Sequence, residues 1–213
     1  MKKNDLSIFI RSYWDYYLEL EEQFKSTSKY VAFDSYNKNT YSVEYLKLFQ
    51  AVCSEIDVVA KEIASRLDLT FKPDKNTTIQ KWGYVLQNFL PDILSQKVVF
   101  NHDQIVAPWE NWMYEQYYDT KNHLRYRLKG NAKSLTWWKA YTDVKHTRTK
   151  TMDNGNINYS KANLGNLISS YAALFILESE YMFTLSEQQQ PVEGINDSKL
   201  FKYYYEAFDH LIY

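Results

Sequence analysis

A chain of 213 residues, 45% hydrophobic and 24% charged, carries enough apolar material to bury one sizeable core, which excludes disordered and fibrous classes. Five glycines and four prolines are too few for most sandwiches or barrels, so the expectation is an all-α helical bundle with a less regular insertion around 90–110, one domain over 1–213. The net charge of −1 hides an uneven distribution, and the single cysteine, Cys53, excludes an internal disulfide framework.

The opening stretch places Leu6, Phe9, Ile10, Tyr13, Trp14, Tyr17, Leu18 and Leu20 at spacings of three and four, which predicts a helix over about 5–25. It has no apolar run long enough for a signal peptide, so a cytoplasmic location is expected. The polar run 26–40 reads as a loop. Between Tyr41 and about Leu69 an apolar face repeats through Leu46, Phe49, Cys53, Ile56, Ala60 and Ile63, predicting a long amphipathic helix capped by Thr40 or Ser42. Pro73 stops it.

Thr77 or Thr78 is the candidate cap of a shorter helix through Trp82, Val85, Leu86 and Phe89, which Pro91 ends. The segments 98–100 and 105–109 read as short strands or buried loop. Helical spacing resumes through Trp112, Met113, Tyr117 and Leu124, predicting a helix over about 109–127 that Gly130 closes. Ser134 then caps a helix to about residue 150, and Ser160 caps an apolar helix to about 185. Residues 188–197 read as a linker and 198–213 as a terminal aromatic helix or tail. No run approaches the roughly 20 apolar residues of a membrane span, so no membrane partner is expected.

Charge concentrates in one place. Residues 121–150 hold 9 Lys/Arg against 1 Asp/Glu, whereas 1–120 hold 13 against 17 and 151–213 hold 3 against 8. Such a stretch attracts phosphates or an acidic surface, unless it is neutralised by the acidic flanks within the fold. Inside it lies WWKAYTDVKHTR, 137–148, where Trp138, Tyr141 and Lys145 share one helical stripe, Trp137, Val144 and Arg148 another, and His146 sits a third of a turn from either.

Metal-free RNA cleavage needs a base, an acid and cations for the phosphate. An imidazole can act as either base or acid, which makes His146 the candidate for proton transfer, and Lys145 and Arg148 suit the phosphate. Glu55 or Asp57 can orient the imidazole. Tyr141 and Asn163 complete the expected contact set, although Asn163 and Asn166 equally suit hydrogen bonds across the bundle, and Trp137 and Trp138 suit the core. Lys145 and Arg148 also suit a helix C-terminus for its dipole alone. No cofactor and no metal are expected: there is no Walker loop, no GxGxxG and no pair of cysteines.

Three blocks, CSEIDVVAKEI at 53–63, WWKAYTDVKHTR at 137–148 and ANLGNLISSYAALFILE at 162–178, resemble the helical HEPN-type domains of bacteria and phages. The resemblance implies a helical bundle, often dimeric, from abortive-infection or toxin–antitoxin systems. Active members cut RNA with an Arg followed four to six residues later by His. No histidine here has an Arg at that distance, and Lys145-His146-x-Arg148 stands instead, which places binding ahead of cleavage. The resulting expectation is a homodimeric protein binding RNA or a nucleotide at the basic helix, with metal-independent ribonuclease activity as an extension; the alternative is a non-catalytic protein–protein interaction module.

Overall fold

The computed structural model of the chain describes residues 2–185 and 197–204, with side chains from Asp5 onward. The amino-terminal helix runs as α1 (Lys2–Phe9), a π-helical turn (Ile10–Trp14) and α2 (Asp15–Ser26). The long helix of the sequence reading is α3 (Val43–Leu67), and Ser42 caps it by accepting from the Tyr45 N–H at 3.0 Å. α4 (Ile79–Phe89) stops ahead of Pro91, as expected. Two further helices follow, α5 (Thr136–Thr147) and α6 (Leu164–Leu185).

The fold is not all-α. Strands β1 (Val98–Phe100), β2 (Gln104–Val106) and β5 (Phe201–Tyr203) form an antiparallel sheet in the order β2-β1-β5, and β3 (Tyr114–Tyr118) and β4 (Leu124–Leu128) form a hairpin. The helix expected over 109–127 is therefore this hairpin with the loop before it. Its strands alternate with period two, Tyr114, Gln116 and Tyr118 standing opposite Leu128, Tyr126 and Leu124, and that alternation outweighs the accidental helical spacing of the aromatics.

The terminal helix expected over 198–213 is also replaced where it can be seen: 201–203 is β5, and 205–213, with 188–196 of the linker, lies outside the described residues. Buried Glu21 of α2 fixes this strand. It accepts from Tyr17 Oη at 2.8 Å, from the Ser198 hydroxyl and from the Lys199 N–H at 2.7 Å, which delivers β5 to the edge of β1.

α6, apolar nearly all round, lies against α3, α5 and the amino-terminal helix and is the middle of the core. Phe24, Tyr171, Phe33 and Phe100 stack at the end where the three-stranded sheet packs, Phe24 and Tyr171 with centroids 4.8 Å apart. A second aromatic cluster joins α4, the loop after β2 and α5 through Trp82, Trp109, Trp112, Trp137 and the half-buried Trp138. Three caps differ from expectation, the first being Thr78, which stands at the start of α4 with no side-chain cap bond. Asn163 rather than Ser160 caps α6, accepting from the Asn166 N–H at 3.0 Å, while the Ser160 hydroxyl bonds the Ile157 carbonyl; α5 begins after Leu135 with no side-chain cap, so Ser134 does not serve there.

Candidate nucleic-acid interface

α5 is amphipathic in a way that decides which of its groups are free. Trp137, Ala140, Tyr141 and Val144 are buried, and the Trp137 indole donates to the Pro108 carbonyl at 3.0 Å. The opposite side presents Lys139, Thr142, Lys145, His146 and Thr147 to solvent, with Arg148 just past the end. That end is pinned by buried Asn158, whose amide donates to the Thr147 carbonyl and hydroxyl, both at 2.9 Å, and by the Tyr159 N–H, which donates to the Arg148 carbonyl. Two of the carbonyls at the helix C-terminus, those of Thr147 and Arg148, are thus satisfied and the cationic turn is held in place.

The β3–β4 hairpin has two unlike faces. Tyr126 packs on Tyr84 of α4 with ring centroids 5.4 Å apart, and Gln87 clamps Tyr114 by donating to its carbonyl and accepting from its N–H at 2.6 Å. The apolar pair at the far end, Tyr118 and Leu124, is exposed. On the other face Arg127 bonds Glu115 at 2.7 Å and lies over the Tyr117 ring, and Arg125 bonds Asp119 at 3.0 Å. Asp119 also accepts from the Lys121 and His123 N–H groups, and Asn122 takes a left-handed backbone at the tip.

Every one of the nine Lys/Arg between 121 and 150 is exposed. Among the described residues only Arg125 and Arg127 form ion pairs; Lys121, Lys129, Lys133, Lys139, Lys145, Arg148 and Lys150 form none. The stretch's one acid, Asp143, is taken by Lys161 at 2.6 Å. Neutralisation by the acidic flanks therefore does not account for this charge. Lys145 rests 5.3 Å from the Tyr141 ring centroid; burial raises the Tyr141 hydroxyl above its ordinary pKa and the lysine opposes that shift.

The expected acid–base set is not assembled. His146 is exposed and, among the described residues, bonds to no carboxylate. Asp57 accepts from the Trp82 indole at 3.0 Å and from Lys61, on the side of α3 facing α4. Glu55, two residues earlier, turns toward the amino-terminal helix and α6, where its charge reaches Tyr13 and Glu178. Asn163 serves as a cap. Of the residues singled out in the sequence, Tyr141 and Lys145 touch, and Arg148 follows on the same end of α5. The hairpin cations Lys121, Arg125, Arg127 and Lys129 lie outside the set singled out in the sequence; the alternation in LRYRL, opposite YEQYY, is the signal that finds the hairpin bearing them.

Together these features define a predominantly helical domain with a basic hairpin and a basic helix end on its surface. No protein-family model, no curated protein and no solved structure matches the chain. No group of three or more His, Cys, Asp or Glu among the described residues is placed to hold a metal ion, and no helix among them is long and apolar enough to cross a membrane.

Proposed function

We propose that this protein binds RNA through the surface running from the β3–β4 hairpin to the end of α5. The observation that carries the reading is the set of exposed cations with no carboxylate partner among the described residues, Lys121, Lys129, Lys133, Lys139, Lys145, Arg148 and Lys150, together with Tyr117 and Tyr118 exposed on the hairpin. Cations free of internal partners neutralise phosphates, and tyrosine rings stack on unpaired bases. The resemblance to HEPN-type domains supports the same reading, since its three blocks fall on α3, α5 and α6, which pack on one another. A homodimer and a role in phage defence or a toxin–antitoxin pair belong to this proposal.

Binding is favoured over cleavage, because a general base needs a partner that sets its tautomer and His146 has none among the described residues. The test is fluorescence anisotropy with a labelled single-stranded RNA across a salt series. The logarithm of affinity falls with the logarithm of salt by about 0.7 for each phosphate engaged, and the double variant Lys145→Glu, Arg148→Glu has a shallower slope. Affinity indifferent to salt sinks the proposal and favours an aromatic protein-docking surface at Tyr118 and Leu124 instead. Incubation without metal, beside a His146→Ala variant, tests cleavage separately.

A further inference from the structure

Glu178, on α6, is the one carboxylic acid among the described residues that is wholly inaccessible to solvent and has no hydrogen-bond partner on either oxygen. A carboxylate in that position is strongly disfavoured, so the group is held as the neutral acid. The charge of a second carboxyl, the half-buried Glu55 of α3, disfavours ionisation of Glu178 further.

The π-helical turn Ile10–Trp14 packs on α6 to either side of Glu178, Trp14 with its ring centroid 6.3 Å from that of Phe175 and Tyr13 5.6 Å from that of Tyr181. A π turn widens the helix by one residue at the expense of hydrogen-bond geometry and is a weak point in an otherwise regular rod. The amino-terminal helix is laid on α6 by rings: Phe9 lies 4.9 Å and Tyr13 5.6 Å from the Tyr181 ring centroid. Ahead of the π turn its one ion pair to the core among the described residues is loose, Asp5 to Arg66 at 3.8 Å, and Arg66 is shared with Glu62 and with the Tyr181 hydroxyl at 3.0 Å.

We propose that Glu178 and Glu55 form a proton-operated latch for the amino-terminal helix: with Glu178 protonated the π turn closes over α3 and α6, and release of that proton to water accompanies its opening. The charged and titratable groups facing the pair are Glu55, Glu62 and Arg66 from α3, Asp5 and Tyr13 from the amino-terminal helix, and Tyr181 from α6 itself. Arg66 is the single cation among them, and it is engaged by Glu62, Asp5 and Tyr181. Among the described residues no uncommitted cation is therefore at hand to accept the charge of Glu178 in the closed form.

Burial first, and then the charge of Glu55, hold Glu178 well above the ordinary carboxyl pKa, while the open form exposes it to water and restores the ordinary value. Closure is thus fully favoured below the ordinary carboxyl range. It weakens as pH rises toward the closed-state pKa, by up to about tenfold in the closed-to-open ratio per pH unit, because opening releases one proton.

Hydrogen exchange of the full chain, corrected for intrinsic rates, tests this at about pH 5 and about pH 8. Protection of amides from Phe9 to Tyr17 falls by about tenfold or more between the two, while the centres of α3 and α6 keep theirs; in Glu178→Leu the difference disappears. Should that variant not fold, Glu55→Gln serves, since removing the neighbouring charge makes the loss smaller and ends it at lower pH. Equal protection at both pH values, or the same loss in Glu178→Leu, or a loss shared equally by the core, overturns the latch. None of these readouts depends on RNA.

Discussion

The Trp82 indole N–H of α4 bonds Asp57 of α3 at 3.0 Å, and the second Asp57 oxygen is held by Lys61, so this acid is spent on joining two helices rather than on His146. Trp82 is fully buried at the centre of the tryptophan cluster, which makes its one donor sensitive to losing its acceptor.

Asp57→Ala is therefore expected to lower stability by about 1–3 kcal/mol, the penalty of an unsatisfied buried donor, and Asp57→Asn by less, since an amide oxygen still accepts. Urea denaturation followed by tryptophan fluorescence reads both. RNA affinity of the folded variants stays at the wild-type level; a drop in affinity without a drop in stability would return Asp57 to the binding surface.

Gly83 carries a second packing prediction. A Cβ built there meets the Trp112 ring at 2.5 and 2.6 Å and Tyr114 at 3.2 Å, and Trp112 is itself hemmed by Trp82 and Trp109. A rigid indole cannot yield as a flexible chain end does, so Gly83→Ala is expected to destabilise by about 1–3 kcal/mol despite the better helix propensity of alanine. A melting temperature at or above that of the wild type contradicts this packing.

How much of this was legible in the sequence depended on the range of the interactions involved. α3 and α6 declare themselves through long runs of helical periodicity, and the Ser42 cap and the Pro91 stop are local chemistry. The apolar run 98–100 reads as a short strand or buried loop and is strand β1, but β5, its partner about a hundred residues on, is only three residues long and has no local signature. The hairpin was hidden by its own tyrosines, whose density satisfies two periods at once. At the site, the cations were visible as composition, whereas their freedom from partners is a property of the fold. Glu55 and Asp57 looked like a pair on paper, but two residues along a helix turn side chains about 200° apart, and α3 sends them to different neighbours.

Cys53 offers a prediction about reactivity. Its thiol is fully buried on α3, where burial raises it well above the ordinary thiol pKa, and raising leaves little thiolate at neutral pH. An aromatic disulfide reagent is expected to leave the folded chain unmodified and to titrate one thiol after denaturation. Rapid modification of the native protein at mildly alkaline pH runs against this burial.

Asn158 separates positioning from charge at the basic surface. Its side-chain amide holds the Thr147 carbonyl and hydroxyl at the end of α5, and its own N–H bonds the Lys150 carbonyl, so the turn bearing Lys145, Arg148 and Lys150 depends on it, yet it contributes no charge. Asn158→Ala removes both side-chain bonds and is expected to cost about 1–2 kcal/mol in stability. RNA affinity should fall several-fold while the slope of affinity against salt stays the same, because no phosphate-neutralising group has been lost. Lys145→Ala should do the reverse, leaving stability nearly unchanged and flattening the slope by about 0.7 on a single strand. If both variants flatten the slope equally, Asn158 acts by withdrawing the cations from the nucleic acid altogether; if neither alters affinity, the end of α5 is outside the contact and the hairpin alone carries it.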